Sequence, residues 1–159
     1  MAACLPATAA DIPALVALEN SVFQTDRISR RQFHYLIKKG RAAVVKAVDG
    51  EASGETLAGA MVLFFRCDSD RARIYSLAVA PWARRRGVAR LLLAYAEAES
   101  RRRGMKGIVL EVREDNDAAL ALYQAAGFQR IGHRLNYYED GGAAARLGKV
   151  LAQPEEAQE

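Results

Sequence analysis

Residues 73–112 constrain the fold more than any other stretch of the chain. Apolar runs over residues 73–80 and 108–112 flank a segment, residues 87–103, in which Val88, Leu91, Leu92, Tyr95 and Ala98 recur at three- and four-residue spacing. Strand, helix, strand in that order is a βαβ unit, whose two strands run parallel in one sheet with a right-handed crossover. Pro81 ends the first strand and Gly104 stops the helix. The helix must therefore open just beyond the carboxyl end of the first strand.

At that opening stand Arg84, Arg85, Arg86, Gly87, Val88, Ala89 and Arg90. A helix N-terminus offers unpaired backbone N–H groups and the positive end of a dipole, and small residues let a phosphate approach. The segment reads as a pyrophosphate cradle, or as a plain helix start with solvated arginines. Residues 84–106 hold eight basic side chains against only Glu97 and Glu99, in a chain with 23 Lys+Arg and 19 Asp+Glu. An excess concentrated on one helix suits an anionic ligand.

The remaining elements follow from local signals. Residues 5–7 form a short first strand. Asp11 and Pro13 open a helix carrying Leu15, Val16, Leu18 and Val22, and Ser29 caps a second bearing Phe33, Leu36 and Ile37 that ends at Gly40. Residues 42–48 and 57–66 pair antiparallel around Asp49-Gly50 and Ser53-Gly54. A helix over residues 117–125 ends at Gly127, a strand covers 128–138, and Asp140-Gly141-Gly142 turns the chain into a last strand over 144–151. The fold class is α/β (α+β): a mixed, mostly antiparallel sheet of six to seven strands flanked by four helices.

A chain of 159 residues, 51% hydrophobic, suits one domain over residues 1–151. Glu155, Glu156 and Glu159 mark residues 152–159 as a short acidic tail, expected to be disordered. Two cysteines, Cys4 and Cys67, and no leader-like or membrane-length apolar run suggest a cytoplasmic protein without a membrane partner. Cys67, beside Asp68, has no nearby His to make it a nucleophile. His34 and His133 lack further ligands at metal spacing, so no metal is expected. Gly148-Lys149 lacks the other residues of a nucleotide-binding P-loop. A nucleic-acid module would rest on Arg84 to Arg86 and on the basic residues 101–103. These clusters lie about 25 Å apart on one helix, at about 1.5 Å per residue, and make no single patch. No nucleic-acid partner is expected.

Residues 84–89 match the pattern Q/R-x-x-G-x-G/A. Leu77-Ala78-Val79 precede it, Leu110-Glu111-Val112-Arg113 with Asn116 follow, and residues 121–128 read Ala-Leu-Tyr-Gln-Ala-Ala-Gly-Phe. In this order and spacing the chain resembles the GNAT acetyltransferase superfamily. From Ile74 to Tyr138, through Asn136-Tyr137-Tyr138, it is similar to the RimI-type protein N-terminal acetyltransferases. The resemblance implies a GNAT fold with a splayed central parallel pair and acetyl-CoA as cosubstrate. Pantetheine would lie along Leu77, Ala78 and Val79, and the basic loop would hold the pyrophosphate. Asn116 would bond the pantetheine arm and Tyr123 would face the sulfur. The same resemblance implies Glu111 as base, through water, Tyr123 as acid, and Tyr137 and Tyr138 lining the acceptor channel. The implied partner is an amine, first of all a protein N-terminus such as that of a ribosomal protein. Lysine or a small amine are alternative acceptors, and an acyl-CoA sensor is the non-enzymatic alternative. Either a monomer or a homodimer fits.

The same residues have plainer readings. Asn116 is placed to cap a helix, Glu111 to face solvent or pair with Arg113, Tyr123 to fill the core, and Tyr137 and Tyr138 to pack on a strand. Amine chemistry narrows the acceptor: an α-amine is roughly a tenth neutral at pH 7, a lysine below about 0.1%. A single carboxylate base suits the α-amine better.

Overall fold

The apolar runs become strands of one seven-stranded sheet in the computed structural model, which describes residues 2–49 and 57–152. The strands are β1 (Ala2–Pro6), β2 (Ala42–Asp49), β3 (Leu57–Phe64), β4 (Arg71–Val79), β5 (Gly107–Arg113), β6 (Gln129–Arg134) and β7 (Ala144–Val150). They lie in the order β1-β2-β3-β4-β5-β7-β6, with β4 and β5 parallel and every other neighbouring pair antiparallel. The helices are α1 (Ile12–Val22), α2 (Arg30–Lys38), α3 (Val88–Arg102) and α4 (Asp117–Ala125). The expected turn residues Gly50, Ser53 and Gly54, and the tail from residue 153, lie outside the described residues. No described helix is long and apolar enough to cross a membrane.

Helices cover both faces of the sheet. Ser76 on β4 reaches Glu19 of α1, its hydroxyl 3.4 Å from the carboxylate. Three residues further along β4, Val79 pairs with Gly59 of β3. A Cβ on Gly59 would lie 2.9 Å from Val88 and 3.2 Å from Leu92 of α3. Because side chains alternate along a strand, α1 and α3 sit on opposite faces, and a glycine lets α3 come close. Leu15, Leu63, Leu92 and Leu147 are wholly buried between these layers; truncating such a side chain to alanine costs about 2–5 kcal/mol.

Four local expectations are corrected. The buried stripe of α3 is Val88, Leu92, Ala96 and Ser100 with Leu93, while Leu91 is 39% exposed and Ala98 faces solvent. The small residues Ala96 and Ser100 are fully buried, Tyr95 packs partly buried against the core, and Leu91 turns outward. The first strand begins at Ala2, since β1 pairs with β2 from Ala2↔Asp49 to Pro6↔Val45. Asp11 makes no side-chain cap to α1; its carboxylate accepts from the Thr8 N–H at 2.8 Å and pairs with Lys46 at 2.9 Å. Strand β6 stops at Arg134, so Tyr137 and Tyr138 lie in the loop to β7. Asn136 takes a left-handed φ of 50°, and the N–H groups of both tyrosines donate to the Gly142 carbonyl, which closes the loop. Ser29 caps α2 as expected, through a reciprocal exchange with Gln32.

Candidate functional site

The parallel pair supplies a cleft. β4 and β5 are paired from Arg71↔Gly107 to Ile74↔Leu110 and then part, although β4 continues to Val79 and β5 to Arg113. Parting coincides with a bulge: Leu63 of β3 pairs with Ile74 and Val62 with Ser76, leaving Tyr75 as the extra residue that bends β4. Beyond it, Leu77, Ala78 and Val79 still pair with β3, but no described strand pairs their β5-facing edge. Backbone groups left this way call for polar partners, which the amides of an extended ligand can supply.

Above this edge the chain passes through a short 3-10 turn at Pro81–Ala83. Arg85 (φ 67°) and Gly87 (φ 80°) then take left-handed conformations before α3 begins at Val88. No side chain caps the start of α3. Arg84, Arg85, Arg86 and Arg90 are exposed, and none pairs with a carboxylate among the described residues; Arg86 lies over Trp82 at 5.8 Å. At the other end of the helix Arg101, Arg102 and Arg103 pair with Glu97 and Glu99 at 3.6, 2.7 and 3.0 Å. The N-terminal cluster has no such partners among the described residues, and the uncapped N–H groups there already favour phosphate.

On the α1 face of the cleft sits Glu111. Its side chain is 5% exposed, and its Oε1 lies 2.9 Å from Nη2 of Arg73. The same nitrogen of Arg73 donates to the Tyr137 phenol oxygen. Oε2 of Glu111 and Nε of Arg73 are buried with no partner. Glu111 is thus neither solvent-facing nor bonded to Arg113. Arg113 is drawn outward to Asp140 at 3.0 Å and to the Thr25 hydroxyl at 3.0 Å, with its guanidinium 4.3 Å from the Tyr138 ring centre. The loop between α1 and α2 therefore meets the loop before β7, and Asp26 accepts from the Glu139 N–H at 3.3 Å. Within the second of these loops Tyr137 and Tyr138 pack edge to face, centres 5.0 Å apart.

Tyr123 on α4 is buried edge-on against Phe128, ring centres 5.7 Å apart. Burial, and then the Tyr138 phenol, push its hydroxyl up to about 12. Burial likewise lifts Tyr138 to about 12, with Tyr137 adding to it. Both hydroxyls therefore keep their protons at neutral pH. Asn116 caps α4, its Oδ1 accepting from the Ala119 N–H at 3.1 Å.

Two site residues were not anticipated. Arg73 sits at the start of an apolar strand, and its partner lies 38 residues on, a pairing that local pattern does not carry. Glu19 is only 4% exposed; one oxygen accepts from the Ile28 N–H at 2.9 Å and the other faces Ser76. It ties the α1–α2 loop to β4. Its signal was present as a carboxylate within the apolar stripe of α1, four residues after Leu15. Burial raises its pKa, with the hydrogen bonds from Ile28 and Ser76 and the charge of Arg27 working the other way. A raised value means the folded state holds this proton more tightly than the unfolded chain. The favourable contribution is present below the unfolded carboxylate range and is lost as pH rises through the folded value. Glu19→Gln, which can still accept from Ile28, is therefore expected to raise Tm at pH 7 by a few degrees, with the gain shrinking toward pH 4. Thermal unfolding across that range tests this, and a gain independent of pH would contradict it.

The model of the acetyltransferase (GNAT) family matches residues 12–128. The N-alpha-acetyltransferase RimI of Mycobacterium tuberculosis is 43% identical over 99 residues, 60% of this chain and 60% of that protein. The [ribosomal protein bS18]-alanine N-acetyltransferase of Salmonella typhimurium is 44% identical over 69 residues, 43% of this chain. The match spans 47% of that relative, about half its length. The crystal structure of the ribosomal-protein-S18-alanine N-acetyltransferase from Escherichia coli superposes with a TM-score of 0.82 at 26% identity, covering 96% of each chain.

Proposed function

This chain belongs to the acetyltransferase (GNAT) family, and from that premise we propose that it transfers an acetyl group from acetyl-CoA to a protein N-terminal α-amine. The observation that carries the reading is the buried carboxylate of Glu111 on the α1 face of the cleft, with Oε2 unpartnered. An α-amine must lose its proton before it attacks. Glu111 takes that proton, relayed by water, while Arg73 holds its Oε1 and fixes the direction of the lone pairs. The cosubstrate supplies the acetyl group as a thioester. The amine nitrogen forms a bond to the carbonyl carbon as the C–S bond breaks, and Tyr123, protonated at neutral pH, gives its proton to the departing sulfur. The backbone edge at Leu77, Ala78 and Val79 would hold the pantetheine arm, joined by Asn116. Arg84, Arg85, Arg86 and Arg90, with the backbone of Gly87, Val88 and Ala89, would hold the pyrophosphate. Tyr137 and Tyr138 would line the acceptor channel.

Thiol release from acetyl-CoA tests the reading, with peptides bearing free or blocked α-amines, an alanine-initiated peptide among them, and with lysine peptides, polyamines and aminoglycosides. Turnover confined to free α-amines is expected. Turnover only on lysine or small amines would move the acceptor, and none despite CoA binding would make the protein an acyl-CoA sensor. Tyr123→Phe keeps the ring that packs on Phe128 and is expected to lower kcat about a hundredfold with CoA affinity unchanged. An unaltered kcat would remove Tyr123 from proton delivery.

A further inference from the structure

Beside the cleft lies a groove of about 470 Å³ bounded by Lys39, Arg41, Arg66, Arg71 and Arg73, with Phe64 and Phe65 as apolar lining. Its single acidic lining residue, Asp68, is already paired with Arg66 at 2.9 Å. Arg73 is paired with Glu111. Among the described residues Lys39, Arg41 and Arg71 meet no carboxylate: Lys39 lies 5.3 Å from the Tyr35 ring centre, and Arg41 donates to the Cys67 sulfur at 3.1 Å. Phe64 packs at a tilt against Tyr75 with centres 5.0 Å apart, and Arg73 lies over the same Tyr75 ring at 5.9 Å. The groove thus combines an aromatic wall with three cations that lack counter-charges, and one of its lining residues, Arg73, is the partner of Glu111.

We propose that this groove seats the acidic residues that follow the reactive α-amine of the acceptor polypeptide, so that the preferred substrate is an acidic N-terminus. The inference rests on the transferase reading given above and adds the class of acceptor. Continuity decides for a peptide over a nucleic acid. Arg73 belongs to both the groove and the Glu111 pair, so the molecule in the groove is the one whose amine reaches Glu111. At about 3.3 Å per extended residue, carboxylates a few residues beyond the amine fall within reach of the groove. Complementary charges across such a surface act mainly on encounter and on discrimination between partners, and salt weakens them.

The test compares alanine-initiated peptides of equal length carrying Glu, Gln or Lys at the four following positions. At low ionic strength kcat/KM is expected to be at least about tenfold higher for the Glu peptide than for the Lys peptide, the gap narrowing in high salt. The double charge reversal Arg41→Glu with Arg71→Glu alters two exposed side chains and is expected to invert the preference while leaving unfolding temperature and CoA affinity alone. Equal kcat/KM for the three peptides would overturn the proposal and leave the transferase reading standing. If no free-amine peptide turns over, the transferase reading fails. Fluorescence anisotropy of labelled, N-acetylated Glu and Lys peptides then reads the groove directly: tighter binding of the Glu peptide, lost on charge reversal, supports it, and equal binding overturns it. Oligouridylate that binds with a steep salt dependence, alongside charge-indifferent acetylation, would assign the groove to single-stranded nucleic acid and also overturn the proposal.

Discussion

Glu111→Gln is expected to lower kcat/KM for a free α-amine peptide by about 10²–10⁴-fold, the range that one positioned base contributes. Glutamine matches the shape of the buried side chain and can still accept from Arg73, so packing changes little. What disappears is the carboxylate proposed to receive the amine's proton. Because the variant also leaves the Arg73 guanidinium without its negative partner, thermal unfolding and CoA affinity must be measured beside the rate. A protein that keeps its fold and binds CoA normally but has lost turnover assigns the loss to chemistry. A rate within about threefold of the unaltered protein would remove Glu111 from the mechanism.

Gly87→Glu is expected to weaken CoA binding on the order of a hundredfold, about 2.8 kcal/mol. Two effects add. Gly87 has φ 80°, so an L residue there favours, by roughly 1–2 kcal/mol, a loop conformation other than the one proposed to hold phosphate. A carboxylate at the start of α3 would also take the N–H groups and arginines that the proposed cradle offers to phosphate, an end effect of up to about 2 kcal/mol. Gly87→Ala separates the two, since a Cβ there meets nothing within 4 Å and brings only the backbone strain. Calorimetric titration of CoA into both variants is expected to show a small loss for Ala and a large one for Glu. Equal affinities would place the pyrophosphate elsewhere.

The βαβ unit and the loop from Arg84 to Arg90 were legible in the sequence because their causes are local. Apolar runs, a proline stop, a glycine at a left-handed position and a helix start all lie within a few residues of one another. The same locality made the caps at Ser29 and Asn116 readable. What escaped depends on contacts between distant segments. The stripe of α3 was read correctly at Val88 and Leu92 but extended to Leu91 and Ala98, because Ala96 and Ser100 are buried for their small size, which a hydrophobicity pattern undervalues. Tyr137 and Tyr138 looked like strand residues, yet the left-handed turn at Asn136 and the shared Gly142 acceptor take them off β6 and toward Arg73 and Arg113. Glu111 stood out as a carboxylate in an apolar strand, but nothing nearby in sequence named Arg73 as its partner. Glu19 was overlooked because a single charge in a helix usually faces water.

The place of β7 sets the order in which this molecule can be completed. It follows β5 and β6 in the chain but lies between them, bonded to β5 from Gly107↔Val150 to Arg113↔Ala144 and to β6 along its other edge. Until residues 144–150 arrive, the strand that carries Glu111 and Arg113 has an open edge, and β6 has no described neighbour in the sheet. Maturation of the cleft therefore waits on a late insertion between two strands already synthesised. Pairings of long sequence separation close slowly, and the half-built sheet exposes two unpaired edges of the kind that invite association with other chains. Before β7 docks, the edge of β5 is open to association with other chains.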